Sequence, residues 1–588
     1  MDQPTMSLAQ ADAQMTAAGQ MFEVDVTTVN DVVMRIWKNA PTTLRQVFDL
    51  SLNHADREFL VYEGQRTTFE QHYRDASTLA RRLGELGIIK GDRVAIIARN
   101  LPQWVSAFWA GIVCGAIVVP LNAWWSSDEL AYGLADSGAT IAFVDNERLE
   151  RLLPILDDLH DLSTVVVLDD DGGRPPAQSH ANARVRIMAL RDFLGHVDPA
   201  AAPPHIDIEA DDDATMLYTS GTTGRPKGAV GTHRNAVTNM MNLFYVGQRQ
   251  ALRFPSLIDA GQEAFPSSYL LNVPLFHATG LLSIVVPNTA AGGKLVMMHH
   301  FDADRALGLI AAERITNIGG VPTVAMQILD HPDFARFDTS SIRSVSYGGA
   351  PAPPELVKRI KAAFALGEPG NGYGLTETSA AVSMNVAADY VLHPESCGTA
   401  LPVNEVAVVP EGFVGDEPTS DLARGPDVVG ELWIKGPNVV REYWQKPAAT
   451  RETFSKGWLH SGDIARIDDE GFIYIVDRAK DMIIRGGENV YSVLVEAAIF
   501  ELPDVADCAV VGVPHPTLGE EVAAVIVLRP GRTVDAEEIT RHVAQRIARF
   551  AAPTRIVFRS EALPRNPQGK LLKRELRTSL VESLARPV

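Results

Sequence analysis

Tyr218-Thr-Ser-Gly-Thr-Thr-Gly-Arg-Pro-Lys-Gly-Ala-Val230 is the stretch from which the rest of the chain is read. Gly221, Gly224 and Gly228 free the backbone where a side chain would clash. Ser220, Thr222 and Thr223 carry hydroxyls that donate to anionic oxygens, and Lys227 adds a mobile positive charge. The apolar lead at 214–217 reads as a strand feeding the loop. By composition this is a phosphate cradle. It is not the Walker A loop: counted from Gly221, the second glycine of that motif falls on Pro226, and Gly228 stands where Ser or Thr should follow Lys227.

Around this loop the chain has 588 residues, too many for one core, so several domains or subdomains are expected. A net charge of −20 argues against a general binder of nucleic acid or of anionic membranes. Cys114, Cys397 and Cys508 lie far apart without metal or disulfide spacing, which fits a reducing, cytoplasmic setting. The first basic residue is Arg35, so no charged secretory leader is expected. The longest apolar run, 104–119, is interrupted by Ser106, Gly111 and Gly115 and is short for a membrane span. It reads as a buried helix followed by a buried strand.

Taken in order, residues 1–27 are poor in charge and read as a weakly ordered extension. Helical spacing over 69–86 and 103–114 alternates with short apolar strands at 94–98, 115–119, 140–144 and 164–168. Such alternation predicts an α/β layer architecture. Ser126 or Ser127 is expected to cap a helix, Asp302 another. The acidic run 209–213 reads as a solvated turn. Residues 233–243 read as helix and 248–267 as a polar loop, followed by strands at 268–273, 315–321 and 342–346. Trp124 and Trp125 either shape an entrance or belong to the core, and core is the preferred reading.

Further polar clusters follow in series: Pro274-Leu-Phe-His-Ala-Thr-Gly280, Ser346-Tyr-Gly-Gly-Ala-Pro351, Asn371-Gly-Tyr-Gly-Leu-Thr-Glu-Thr378, His460-Ser-Gly-Asp463, Asp477-Arg-Ala-Lys-Asp-Met-Ile-Ile-Arg-Gly-Gly-Glu-Asn-Val-Tyr491 and Leu563-Pro-Arg-Asn-Pro-Gln-Gly-Lys570. Each alone could be a turn. In this order, together with the phosphate loop, they resemble the adenylate-forming superfamily, most closely its AMP-forming acyl-CoA synthetases. The likeness runs from about residue 44 to the C-terminus.

The resemblance implies a large N-terminal domain of stacked α/β subdomains (28–476) and a hinge at 477–481 centred on Lys480. A small mobile C-terminal α/β domain (482–588) follows. It implies two half-reactions. A carboxylate first attacks the α-phosphate of ATP, giving acyl-AMP and pyrophosphate; the thiol of coenzyme A then displaces AMP. Two anions must meet in the first step. At about 4 Å they repel by roughly 4 kcal/mol at an effective dielectric near 20, so cations must converge there.

By the same resemblance, Lys570 contacts the reacting carboxylate and phosphate. Glu377, with Thr222, holds Mg²⁺ between phosphates. Thr219, Ser220, Gly221, Thr222, Thr223, Gly224 and Lys227 cradle the outer phosphates. Tyr373, with Gly348, Gly349, Ala350 and Pro351, sandwiches adenine, and Asp463, with Arg478, fixes the ribose hydroxyls. Gly372, Gly374, Thr376 and Ile475 also bind the nucleotide. Gly486, Gly487, Glu488 and Asn489 belong to the coenzyme A side. His277 gates the acyl pocket, whose walls are Gly319, Gly320, Tyr347 and Gly348, leaving room for a medium- or long-chain fatty acid or a bulky aryl-alkanoic or steroid-type acid. A homodimer is compatible with all of this.

Two departures from the family pattern stand out. The helix after Tyr491 begins Ser492-Val-Leu-Val-Glu496 where Pro-Ala-Glu-Val-Glu is common, and Arg485 replaces a common Ser. The stretches 248–267 and 410–426 are long. Two other functions remain open: an adenylating enzyme that loads a carrier protein, and a nucleotide-binding protein without turnover. The presence of Glu377, Asp463 and Lys570 speaks against the second.

Overall fold

Val94, Ala95, Ile96 and Ile97 are completely shielded from solvent, as the strand Arg93–Ile97 must be if helices cover both its faces. This strand is part of a seven-stranded sheet in the computed structural model, which describes residues 4–168, 184–195, 197, 201–219, 225–255, 267–350, 352–418, 425–565 and 571–585. The sheet runs parallel from Arg186–Ala189 through Thr164–Val167, Ile141–Val144, Arg93–Ile97 and Ile117–Pro120 to Asp213–Thr219. Lys227–Thr232 closes the edge antiparallel. The run 104–119 is indeed a buried helix, Pro102–Val113, followed by a buried strand. Trp104, Phe108 and Trp109 are fully buried within it.

A second sheet carries the opposite wall of the molecule. Ser268–Leu271, Asn317–Gly320, Ser344–Gly348 and Glu368–Leu375 lie side by side and parallel. The sheet then continues antiparallel through Ala380–Val386, Gly398–Ala400, Phe472–Arg478 and Trp458–Ile467. The register sets Gly320 opposite Tyr347 and Gly348 opposite Gly372, so small residues collect where the parallel strands end. Ligands of open α/β sheets bind at such carboxyl ends. From Ile483 onward the described chain builds its own five-stranded sheet with its own apolar core around Val495, Ile499, Val510 and Ile526.

Four local readings need correction. Within 1–27 the chain forms a helix, Leu8–Met15, with a full capping box between Ser7 and Gln10. Ala11 and Met15 are buried, and Asp12 bonds Tyr245 and pairs with Arg249. The apolar seam of this helix was too short to register as a helical period. The helix His233–Arg253 runs well past 243, shortening the loop expected at 248–267; residues 256–266 lie outside the described chain. The acidic run is not merely solvated. Asp211 binds Arg234 at 2.6 Å, Asp212 binds Lys90 at 2.5 Å, and Asp213 binds Arg441 at 3.0 Å, pinning the start of the strand that feeds the phosphate loop. Trp125 is core, but Trp124 is half-buried between the Arg99 guanidinium and the Phe276 ring.

Candidate active site

The two sheets enclose a cleft of about 1330 Å³. At one end it is lined by Thr219, Arg225, Lys227, Glu377 and Tyr443, at the other by Tyr269, Asn272, His277, Gly320 and Val324. Tyr373, Gly372, Gly349 and Arg478 lie between.

The middle is built on one hydrogen-bonded axis. The Tyr373 hydroxyl donates to Asp463 Oδ2 at 2.7 Å, and Arg478 Nε meets Oδ1 of the same carboxylate at 2.9 Å. Asp463 and Arg478 face each other in register across two antiparallel strands, so the pair is fixed by backbone pairing. Asp463 is nearly fully buried, and a buried carboxylate held by a cation and a hydroxyl is a rigid acceptor site. Burial and the neighbouring carboxylate push the Tyr373 phenol well above its usual pKa, so it stays a donor. Gly374 is obligatory: a Cβ there would strike the Ala380 carbonyl. Gly349 sits at φ +73°, in the region that favours glycine. Ile475 does not line the cleft; it packs in the apolar cluster that also holds Tyr373.

At the phosphate-loop end, Glu377 Oε1 accepts from the Tyr443 hydroxyl at 2.6 Å. The Lys227 ammonium lies 4.8 Å from the centre of the Tyr443 ring. One tyrosine thus spaces the carboxylate from the lysine and keeps them from collapsing onto each other. Residues 220–224, Pro351 and Lys570 are outside the described chain, so the expectations for Ser220, Gly221, Thr222, Thr223, Gly224, Pro351 and Lys570 stay as read from sequence. Among the described residues no cluster of three or more His, Cys, Asp or Glu side chains could cage a metal. A single carboxylate such as Glu377 beside a phosphate loop instead suits Mg²⁺, which takes most of its ligands from phosphate and water.

The other end is neutral. The His277 ring lies tilted against Phe276 with centroids 4.4 Å apart, and burial pushes the imidazole down to about 3, leaving it uncharged. The four wall residues expected there differ in role. Gly319 faces Tyr269: a Cβ would come within 2.8 Å of that ring and hydroxyl. Gly320 has φ +145°, so its backbone conformation, not only the space beside it, calls for glycine. Gly348 is required by the adjacent strand, since a Cβ would lie 2.5 Å from the Gly372 carbonyl oxygen. Tyr347 turns its hydroxyl to Tyr390 at 3.0 Å and belongs to a core cluster, with only part of it at the cleft.

Gly486 and Gly487, both at positive φ, turn the hairpin Ile483–Arg485 to Glu488–Val490, and Glu488 and Asn489 are exposed. The hairpin stands away from the cleft, whose described lining ends at Lys480. Next to it Ser492 takes the place of the common proline. Its N–H and hydroxyl both donate to the buried Asp477 carboxylate, the hydroxyl at 3.1 Å. Lys573 closes the group, 2.7 Å from both Ser492 Oγ and Glu496 Oε1.

Sequence reading missed Tyr443, Lys446 and Asn272. Nothing in Arg441-Glu-Tyr-Trp marks Tyr443 as a partner of Glu377, because the contact spans 66 residues. Lys446 reaches the cleft while paired to Asp136, 310 residues away in sequence. Asn272 did leave a signal: it is a lone amide inside the apolar run Leu270-Leu-Asn-Val273.

Comparison with known proteins agrees with this geometry. Residues 49–444 match the AMP-binding enzyme family, and residues 494–570 match the AMP-binding enzyme C-terminal domain. The chain is 34% identical to the long-chain-fatty-acid–CoA ligase FadD13 of Mycobacterium tuberculosis over 87% of this chain and 93% of that protein. It is also 34% identical to a feruloyl-CoA synthase of an Amycolatopsis species, over 87% of this chain and 94% of that one. The fold superposes on ATP-bound MatB from Rhodopseudomonas palustris with a TM-score of 0.76 and 27% identity, covering 92% of this chain and 99% of that one. Thr219, Arg225 and Lys227, a Tyr373–Asp463–Arg478 axis and a neutral pocket in one cleft, joined to these matches over most of the length, place the chain in the AMP-binding enzyme family.

Proposed function

We propose that this protein activates a carboxylic acid with ATP and Mg²⁺, through an acyl-AMP, and transfers the acyl group to the thiol of coenzyme A. The observation that carries the reading is the continuity of the cleft. A site for an anionic nucleotide, with Lys227, Arg225 and Glu377, opens past the Tyr373–Asp463–Arg478 axis into an uncharged chamber walled by Gly319, Gly320 and His277. The two ends meet where a carboxylate can approach an α-phosphate. Tyr373 offers an aromatic face to adenine, and Asp463 offers acceptor oxygens to ribose hydroxyls. Glu377 would help to hold Mg²⁺, which would supply charge neutralisation for the departing pyrophosphate. Lys570 is assigned to the reacting oxygens.

The small C-terminal unit is assigned a rotation about Lys480 between the half-reactions, bringing Gly486, Gly487, Glu488 and Asn489 to the cleft for thiol attack. Their present position away from the cleft supports such a movement. Three free, buried cysteines suit a reducing compartment, consistent with the cytoplasm.

Asp463→Ala tests the nucleotide assignment. It is expected to cut acid-dependent pyrophosphate release by about 100-fold or more, as loss of one preorganised charged contact does, with the ATP KM raised. Pyrophosphate release that stayed within about twofold of the unsubstituted enzyme would remove the ribose-binding role.

A further inference from the structure

Asn272 stands where the strand Ser268–Leu271 ends and the chain turns into the His277 segment. The residue is 8% exposed, and its predecessors Leu270 and Leu271 are fully buried. It lines the acyl end of the cleft. A Cβ placed on Gly320 would lie 3.3 Å from Asn272 Nδ2, so the carboxamide faces the glycine edge of the chamber. Neither Nδ2 nor Oδ1 has a hydrogen-bond partner among the described residues. Exchanging the amide's nitrogen and oxygen does not help, because both ends lack partners. Buried amides are almost always bonded, and an apolar residue would fit this strand end at no such cost.

We propose that Asn272 is a specificity residue that hydrogen-bonds an uncharged oxygen substituent (hydroxyl, keto or carboxamide) on the body of the acid. The inference rests on the acid-activating function above and narrows its substrate to oxygenated acids over plain alkyl ones. The charge of the chamber decides which polar group fits. Its described lining near Asn272 holds Tyr269, Val273, His277, Gly319, Gly320 and Val324, with no Lys, Arg, Asp or Glu. A second carboxylate or an ammonium would be buried there without a counter-charge, at high cost. A hydroxyl or carbonyl would not. Asn272 offers both a donor and an acceptor. Tyr269, on the same strand and beside Gly319, adds a neutral phenol, since burial pushes its pKa up to about 12. The site therefore presents two neutral, amphoteric hydrogen-bonding groups across a glycine-lined gap.

The test uses the full-length enzyme with ATP, Mg²⁺ and coenzyme A, and matched acids. One set is 3-phenylpropanoic acid and its ring-hydroxylated forms; the other is decanoic acid and its keto derivatives. The quantity measured is kcat/KM for AMP formation. The wild-type enzyme is expected to prefer at least one oxygenated member over its parent by about tenfold or more, because a site built to bond an oxygen rejects the analogue lacking it. In Asn272→Leu, a change of shape-matched polarity, that preference ratio is expected to fall by about tenfold. The melting temperature of the ligand-free variant is expected to rise, since an unpaired amide leaves the interior. A wild-type enzyme that handles the parent acids as well as every oxygenated partner overturns the assignment without any variant. So does a ratio that Asn272→Leu leaves unmoved. Those failures keep the ligase chemistry. Absence of acid-dependent pyrophosphate release for any acid loses both.

Discussion

Gly319 and Gly320 are neighbours with opposite reasons for being glycine. At Gly319 the backbone is ordinary and the nearby obstacle is the far end of the Tyr269 side chain. Gly319→Ala is expected to push that ring into the chamber. It should lower kcat/KM for a bulky acid by about tenfold more than for a short one, the range that a missing methylene's space discriminates. A substrate panel with the ATP KM as control checks this; equal loss for all acids contradicts it. At Gly320 the φ of +145° makes any side chain strained. Gly320→Ala is expected to cost about 1–3 kcal/mol of stability and to harm all acids alike, measured by denaturant melts beside kinetics. A Gly320 variant of unchanged stability that discriminated acids by size would restore the simple pocket-wall reading. The sequence showed that both were glycine but not which was needed for space, because φ is set by the neighbouring strands and cannot be read from the residue itself.

At the scale of elements, the helix Ser492–Phe500 begins on a residue that ties it across the expected hinge. Asp477 sits on the strand Phe472–Arg478 of the large sheet, while Ser492, Glu496 and Lys573 belong to the small unit. The proposed rotation about Lys480 would carry Ser492 away and leave Asp477 behind. Ser492→Pro restores the common family residue and deletes both donors to Asp477, because proline has neither the N–H nor the hydroxyl. The hairpin with Gly487 and Asn489 is away from the cleft in the present arrangement. Loosening this tie is therefore expected to raise the rate of thioester formation relative to adenylation, by up to about thirtyfold for two lost bonds of roughly 1 kcal/mol each. Single-turnover measurement of the two half-reactions reads it; an unchanged ratio would make the Ser492 contact a matter of local packing. Periodicity found several elements: the helix Phe69–Glu85 and the Ser126 and Asp302 caps stand where their spacing placed them, whereas the strand read at 342–346 runs over Ser344–Gly348 and Glu368–Leu375 was not read as a strand. What it could not find were pairings between distant segments, such as Glu377 with Tyr443 or Asp12 with Arg249, since no local pattern encodes a partner in a remote part of the chain.

For the whole molecule, two histidines far from the chemistry bear on stability. His72 and His233 are buried, the first against Phe59 and Ser106, the second accepting the Leu44 N–H at Nδ1. Burial pushes them down to about 3 and about 4. Below the unfolded value near 6.5 the unfolded chain takes up protons that the folded chain refuses. Stability is therefore complete above about pH 6.5 and declines as pH falls toward 4, by up to about 1.4 kcal/mol per pH unit for each histidine. Urea melts at pH 7.5, 6.5 and 5.5 should show the decline, and His72→Leu should reduce its slope; the same decline in the variant would contradict this. The central claim concerns the order of events in the cleft, where nucleotide and acid meet before the thiol arrives. Mixing stoichiometric enzyme with ATP, Mg²⁺ and an accepted acid, without coenzyme A, and analysing the quenched mixture by mass spectrometry tests it directly. The account predicts one acyl-AMP and one pyrophosphate per active site, with the acyl-AMP converted to acyl-CoA and AMP when coenzyme A is added. Acyl-CoA formation with no acyl-AMP before it, or pyrophosphate release independent of the acid, would contradict it.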